Sequence, residues 1–166
     1  RRLPRGGCAL AVGRGYPWRK FRTKFNPSEM DTKSNDLRGV PTIADAIGLE
    51  VLEVNGEQVK GRLPVDHRTH QPYGLLHGGA SVVLAETLGS VGSHYLVADQ
   101  NKAAVGVEVN ANHVRSVRSG WVYGVANLVH KGGKMHVWSI DIRDEQERLV
   151  CTSRLTVMII NKPNQG

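Results

Sequence analysis

The chain has 166 residues, of which 40% are hydrophobic and 22% charged, the size of one domain able to bury roughly two-thirds of its unfolded surface. Two cysteines, Cys8 and Cys151, are too few for a disulfide framework or a cysteine zinc cage, and no run approaches the ~20 apolar residues that cross a bilayer. A net charge of +7 raises nucleic-acid binding, but eight of the twenty-two Lys and Arg lie in residues 1–28, which hold no acid, leaving fourteen against fifteen acids elsewhere. The body is near-neutral, and the basicity belongs to the N-terminal segment.

Residues 1–28 are rich in Gly, Arg and Pro without a sustained period and, with the polar stretch that follows to Arg38, predict a disordered or extended segment over 1–38, outside the functional domain. A cleaved or incidental piece upstream of a start at Met30, a targeting segment without the usual serine richness, and a nucleic-acid contact are the three readings of it. The domain is expected over 39–161, with a short tail at 162–166.

In VPTIADAIG, Pro41, a Thr42 cap and the closing Gly48 predict a short helix of about two turns. LEVLEV and EQVKGRLPVD, parted by Asn55-Gly56, predict a hairpin whose turn residues have positive φ. Residues 67–76 read as a loop. From His77 the apolar spacing at positions 80, 83, 84, 87/88 and 91 predicts a buried helix of about five turns. Four strand-like runs follow, AAVGVEVNANHVRS, GWVYGVANLVHK, KMHVWSIDIRDE and RLVCTSRLTVMII. The fold class is therefore α+β, an antiparallel sheet with one long helix packed on a face.

That helix carries Gly78, Gly79, Gly89 and Gly92, each interior glycine costing about 1 kcal/mol relative to alanine. Helix–sheet packing is the expected reason at Gly89 and Gly92, and ligand approach at Gly78 and Gly79, where free N–H groups and the positive dipole end favour an oxyanion. Glu86 sits mid-helix among apolar neighbours, where an unpaired carboxylate is costly, and Ser90 lies four residues on, along the same face. His77 and Glu86 are nine residues apart, on opposite sides of the helix and ~13.5 Å apart along it. If both serve one site, two subunits must supply them across a twofold axis. The histidines show no zinc-binding spacing.

The segment LPVDHRTHQPYGLLHGGASVVLAETLGS, with VGVEVNANHVRSVRSG and CTSRLTVMII, resembles the hotdog-fold acyl-CoA thioesterases. The resemblance covers roughly residues 40–161. It is strongest to the branch of phenylacetyl-CoA, glutamate-type 4-hydroxybenzoyl-CoA and 1,4-dihydroxy-2-naphthoyl-CoA hydrolases and the enterobactin-pathway proofreading enzyme. It implies a hotdog fold, a curved antiparallel sheet wrapped around the long helix, assembled as dimers and paired again as a cytoplasmic homotetramer. It implies Glu86 as nucleophile or general base, Gln71 positioning the thioester or the water, and His77 beside the thioester with the Gly78 N–H polarising its carbonyl. Ser90 and His113 would contact the acyl group or water. Arg115 and Ser116, with Gly132, Gly133 and Lys134, would line the nucleotide groove. A thiolate leaves readily, so one glutamate with backbone donors can serve without metal or cofactor. Hydrolysis of an aromatic acyl-CoA, foremost 1,4-dihydroxy-2-naphthoyl-CoA of menaquinone synthesis, is the expected activity. Clearance of misloaded acyl groups from a carrier protein is its enzymatic rival. A non-catalytic acyl-CoA sensor, a nucleic-acid module and a hotdog dehydratase, for which an Asp/His pair is not evident, are the alternatives of other classes.

Overall fold

A computed structural model describes residues 41–162; the basic N-terminal segment and the readings placed on it lie outside the described residues. Thr42 caps helix α1 (Ile43–Ile47) through a reciprocal capping box with Asp45, and Gly48 closes it at φ 71°, the left-handed position that glycine adopts without a Cβ penalty. Strands β1 (Glu50–Val54) and β2 (Gln58–Val65) form the expected antiparallel hairpin. Its turn differs from the expectation, because neither Asn55 nor Gly56 has a positive φ. Instead the Asn55 side-chain oxygen accepts the N–H groups of Glu57 and Gln58 at 3.0 and 2.8 Å, a local side-chain turn that replaces the two-residue type.

Helix α2 (Gly78–Val97) follows, then a 3₁₀ turn, and then β3 (Lys102–His113), β4 (Gly120–Lys131), β5 (Met135–Asp144) and β6 (Leu149–Asn161). All pairings are antiparallel and the strand order is β1-β2-β4-β5-β6-β3. Among the described residues β3, though first after the helix, therefore ends up as an edge strand beyond β6. Alternate residues of β5 (136, 138, 140, 142) and β6 (151, 153, 155, 157, 159) are buried toward α2, the period of a sheet with one covered face.

Small residues allow the helix to approach. A Cβ on Gly89 would meet Leu155 Cδ2 at 2.5 Å, and one on Gly92 would meet the Trp138 ring at 2.5 Å. Across the interface, Gly61 and Gly124 leave room for Leu88, whose methyls would lie 2.7 and 2.8 Å from Cβ atoms there. Glycines in the helix thus receive side chains of the sheet, and glycines in the sheet receive a leucine of the helix. The packing reading of Gly89 and Gly92 holds. The Trp138 indole N–H donates to Ser93 Oγ at 2.8 Å, so the largest core side chain leaves no buried donor unpaired. Among the described residues no helix is long and apolar enough to cross a membrane.

Candidate active site

The loop between β2 and α2 is fixed before it reaches the helix. Thr69, buried, donates its hydroxyl to the Pro64 carbonyl at 2.8 Å and accepts the Asp66 N–H at 3.1 Å. The Arg68 guanidinium hydrogen-bonds the Asp66 carboxylate and holds it well below the usual carboxylate range. The Gln71 backbone donates to Leu75 O and its carbonyl accepts from Gly74 N–H. The Gln71 side-chain oxygen accepts from the Tyr73 N–H, so its amide N–H groups remain as donors. The loop is tied to the segment after β3 by Leu76 N–H to Val117 O and by His70 Nε2 with Arg118 O at 3.0 Å.

His77 is the N-cap of α2. Its Nδ1 accepts the Gly79 N–H at 2.8 Å, and its backbone N–H donates to Thr69 O. Gly79 is thus engaged by the cap, which corrects the expectation that its N–H serves a ligand. With Nδ1 accepting, a neutral imidazole carries its proton on Nε2, in a side chain that is exposed. Ala80 and Ser81 donate back to His77 O. The Gly78 N–H therefore remains the free donor of the first turn among the described residues. A Cβ on Gly78 would lie 2.8 Å from His113 Nε2, so the His113 ring rests against the start of the helix.

Eight residues along α2, ~12 Å by helical rise, the half-buried Glu86 reaches β3 at another point. A Cβ on Gly106 would lie 2.7 Å from Glu86 Oε1, and the carboxylate takes part in no hydrogen bond or ion pair among the described residues. Ser90 is half-buried on the same face. The chain thus carries two separate stations along β3: a carboxylate at Gly106, and a free N–H beside His77 and His113 at the other end.

The two segments expected to line the nucleotide groove also part company within one chain. Met135, at the Gly132-Gly133-Lys134 turn, stands in register with Met158 and Val105, while Arg115 and Ser116 follow His113, which pairs with Cys151 at the opposite end of the ladder. Arg115 Nε donates to Leu149 O at 3.3 Å. Among the described residues no three His, Cys, Asp or Glu side chains converge as a metal cluster.

Sequence reasoning missed Gly106 and the β-bulge after it, where the register with β6 passes from Gly106 to Glu108. An isolated glycine inside a strand pattern is the signal that would have found both.

Residues 73–151 match the thioesterase superfamily model. The chain is 42% identical over 131 residues to a proofreading thioesterase of Cronobacter turicensis, an alignment covering 79% of this chain and 95% of that one. The chain belongs to the thioesterase superfamily. It is also 52% identical over 107 residues to the 1,4-dihydroxy-2-naphthoyl-CoA hydrolase of Escherichia coli strain K12, covering 64% of this chain and 78% of that one. A thioesterase of Haemophilus influenzae of known structure superposes with a TM-score of 0.71 at 43% identity, covering 75% and 86% of the two chains. The long helix against six antiparallel strands is accordingly the hotdog fold, and the protein is a thioesterase acting on acyl thioesters.

Proposed function

We propose that this thioesterase hydrolyses aromatic or related acyl-CoA esters to the free acid and CoA, with 1,4-dihydroxy-2-naphthoyl-CoA the foremost substrate. The observation that carries the reading is the Glu86 carboxylate, unpaired among the described residues and set against Gly106 on an edge strand.

The donor that must complement it comes from a second copy. Among the described residues β3 is an edge strand, with Val105 and Val107 45% and 50% exposed, and its unpaired backbone groups favour pairing with another strand. Helix α2 carries only one Asp, Glu, Lys or Arg, Glu86, in twenty residues, and a helix apolar nearly all round is one covered on more than one side. Antiparallel pairing of two β3 strands about a twofold near Val109 and Asn110 sets Gly106 of one copy opposite His113 of the other. Glu86 then faces the partner's Gly78 N–H, with His77, Gln71 and His113 around it. The same operation carries Arg115 and Ser116 of one copy toward the Gly132-Gly133-Lys134 turn of the other, reuniting the segments that one chain separates. The dimer is the unit that holds the site, and a tetramer is its further pairing.

In that site the thioester carbonyl accepts from the Gly78 N–H, which stabilises the oxyanion as it forms at the positive end of α2. Glu86 either attacks the carbonyl carbon, releasing CoA thiolate and leaving an anhydride for water to open, or removes a proton from the attacking water. Gln71 and Ser90 orient the thioester and the water, and CoA enters as part of the substrate, with no further cofactor or metal. Lysines, arginines and glycine N–H groups at the groove suit the CoA phosphates.

The second reading, clearance of acyl groups misloaded on a carrier protein, draws on the similarity to a proofreading thioesterase. Hydrolysis assays over aromatic and aliphatic CoA esters with one acylated carrier protein decide between the two. The proposal predicts the highest kcat/KM on an aroyl-CoA and loss of about 10³-fold in Glu86→Gln; near-normal turnover by that variant would overturn it.

A further inference from the structure

We propose that Gly106 and the bulge at Val107 are the positioning element of the reacting carboxylate, a role that rests on Glu86 being that group. A side chain at 106 and the carboxylate would claim the same volume: the Cβ position lies 2.7 Å from Glu86 Oε1, 3.6 Å from Cδ and 3.9 Å from Cγ. The carboxylate therefore lies end-on against bare backbone. Glycine weakens a strand interior, and its presence there marks a close approach.

The bulge has a second consequence. Side chains alternate along a strand, so residues 106 and 113, seven apart, would point to opposite faces of a regular β3. Here both face α2: Gly106 pairs with Val157 and His113 with Cys151, each a buried inward position of β6. The residue inserted at Val107 reverses the alternation between them. The strand can thereby present Gly106 to Glu86 and His113 to Gly78 at once. It also turns Glu108 outward, opposite Thr156 and bonded by Asn110 Nδ2 at 3.2 Å. In an unbulged strand Glu108 would face the helix next to Gly106, setting a second carboxylate beside the first, an arrangement that disfavours ionisation of both.

The test is a pair of cycles on the full chain. With benzoyl-CoA, Gly106→Ala is expected to lower kcat about tenfold or more with KM little changed, because the acid is displaced rather than the substrate site. In Glu86→Asp, whose shorter acid withdraws from the added methyl, the same substitution is expected to cost no more than about twofold further. A Gly106→Ala variant with unchanged kcat, or a full additive penalty in the double variant, would overturn the proposal. Thermal unfolding covers the case in which Gly106→Ala folds poorly: the loss of Tm should vanish in the Glu86→Ala background, and an equal loss in both backgrounds would overturn the proposal. Glu108→Gln is expected to hydrolyse at the parent rate. A parent chain inert toward every thioester would refute the proposed function, while the unfolding cycle would still decide the role of Gly106.

Discussion

The His113 ring packs on the first residue of α2, its Nε2 2.8 Å from the point a Gly78 Cβ would occupy. Gly78→Ala must therefore push the ring away or tilt the first turn, moving the N–H aimed at the thioester oxygen. Because displacements near 1 Å cost about 10²-fold in rate, this variant should lose kcat on that scale while its Tm changes little. Steady-state kinetics beside thermal unfolding will show it.

The core makes an opposite demand on two other glycines. Alanine is the better helix former by about 1 kcal/mol, yet a methyl on Gly89 or Gly92 would meet Leu155 or Trp138 at 2.5 Å. Overpacking should win, and each variant should unfold more easily by about 1–3 kcal/mol in denaturant titration.

Ser93→Ala removes the acceptor of a fully buried indole N–H. The unpaired donor should cost about 1–3 kcal/mol, read from the urea midpoint, and Ser93→Thr, which keeps the hydroxyl, should recover part of it.

His136 supplies a pH dependence. Burial, with Lys131, His130 and Lys102 adding positive charge nearby, lowers its pKa below the ordinary 6.5, and its Nδ1 has no partner among the described residues. The unfolded chain takes up this proton near pH 6.5 and the folded one only at lower pH. The stability tied to the neutral ring is thus complete above 6.5 and is lost as pH falls from there through the folded value. Tm measured from pH 8 to 5 should fall less steeply for His136→Gln than for the parent chain.

The elements were legible because local rules and tertiary packing agree in them. Thr42 and Gly48 bracket α1, and the apolar spacing after His77 marks α2. The odd spacing of His77 and Glu86 already separated them on the helix. What alternation could not show was the bulge at Val107, since AAVGVEVNANH reads equally well as an unbroken strand whose Gly106 and His113 face apart. That insertion goes with the fit of Gly106 against Glu86 and of His113 against Gly78, both on α2, a three-dimensional constraint. The turn at Asn55 departs from the positive-φ type for a related reason: the Asn55 side-chain oxygen accepts the N–H groups of Glu57 and Gln58, a pairing that residue types alone do not reveal. The Gly79 N–H went to the ring of its own cap, a pairing invisible in residue types alone.

Mixing two inactive variants puts the shared site to its most direct trial. Glu86→Gln lacks the acid and His77→Ala lacks the cap that shapes the donor end, so each homodimer should be inert. Random reassortment after co-refolding should leave roughly a quarter of all sites with both intact halves, and aroyl-CoA hydrolysis should return toward that fraction of the parent rate. If the mixed population stays as inactive as its parents while heterodimers are shown to form, carboxylate and donor do not meet across the twofold and the account is contradicted.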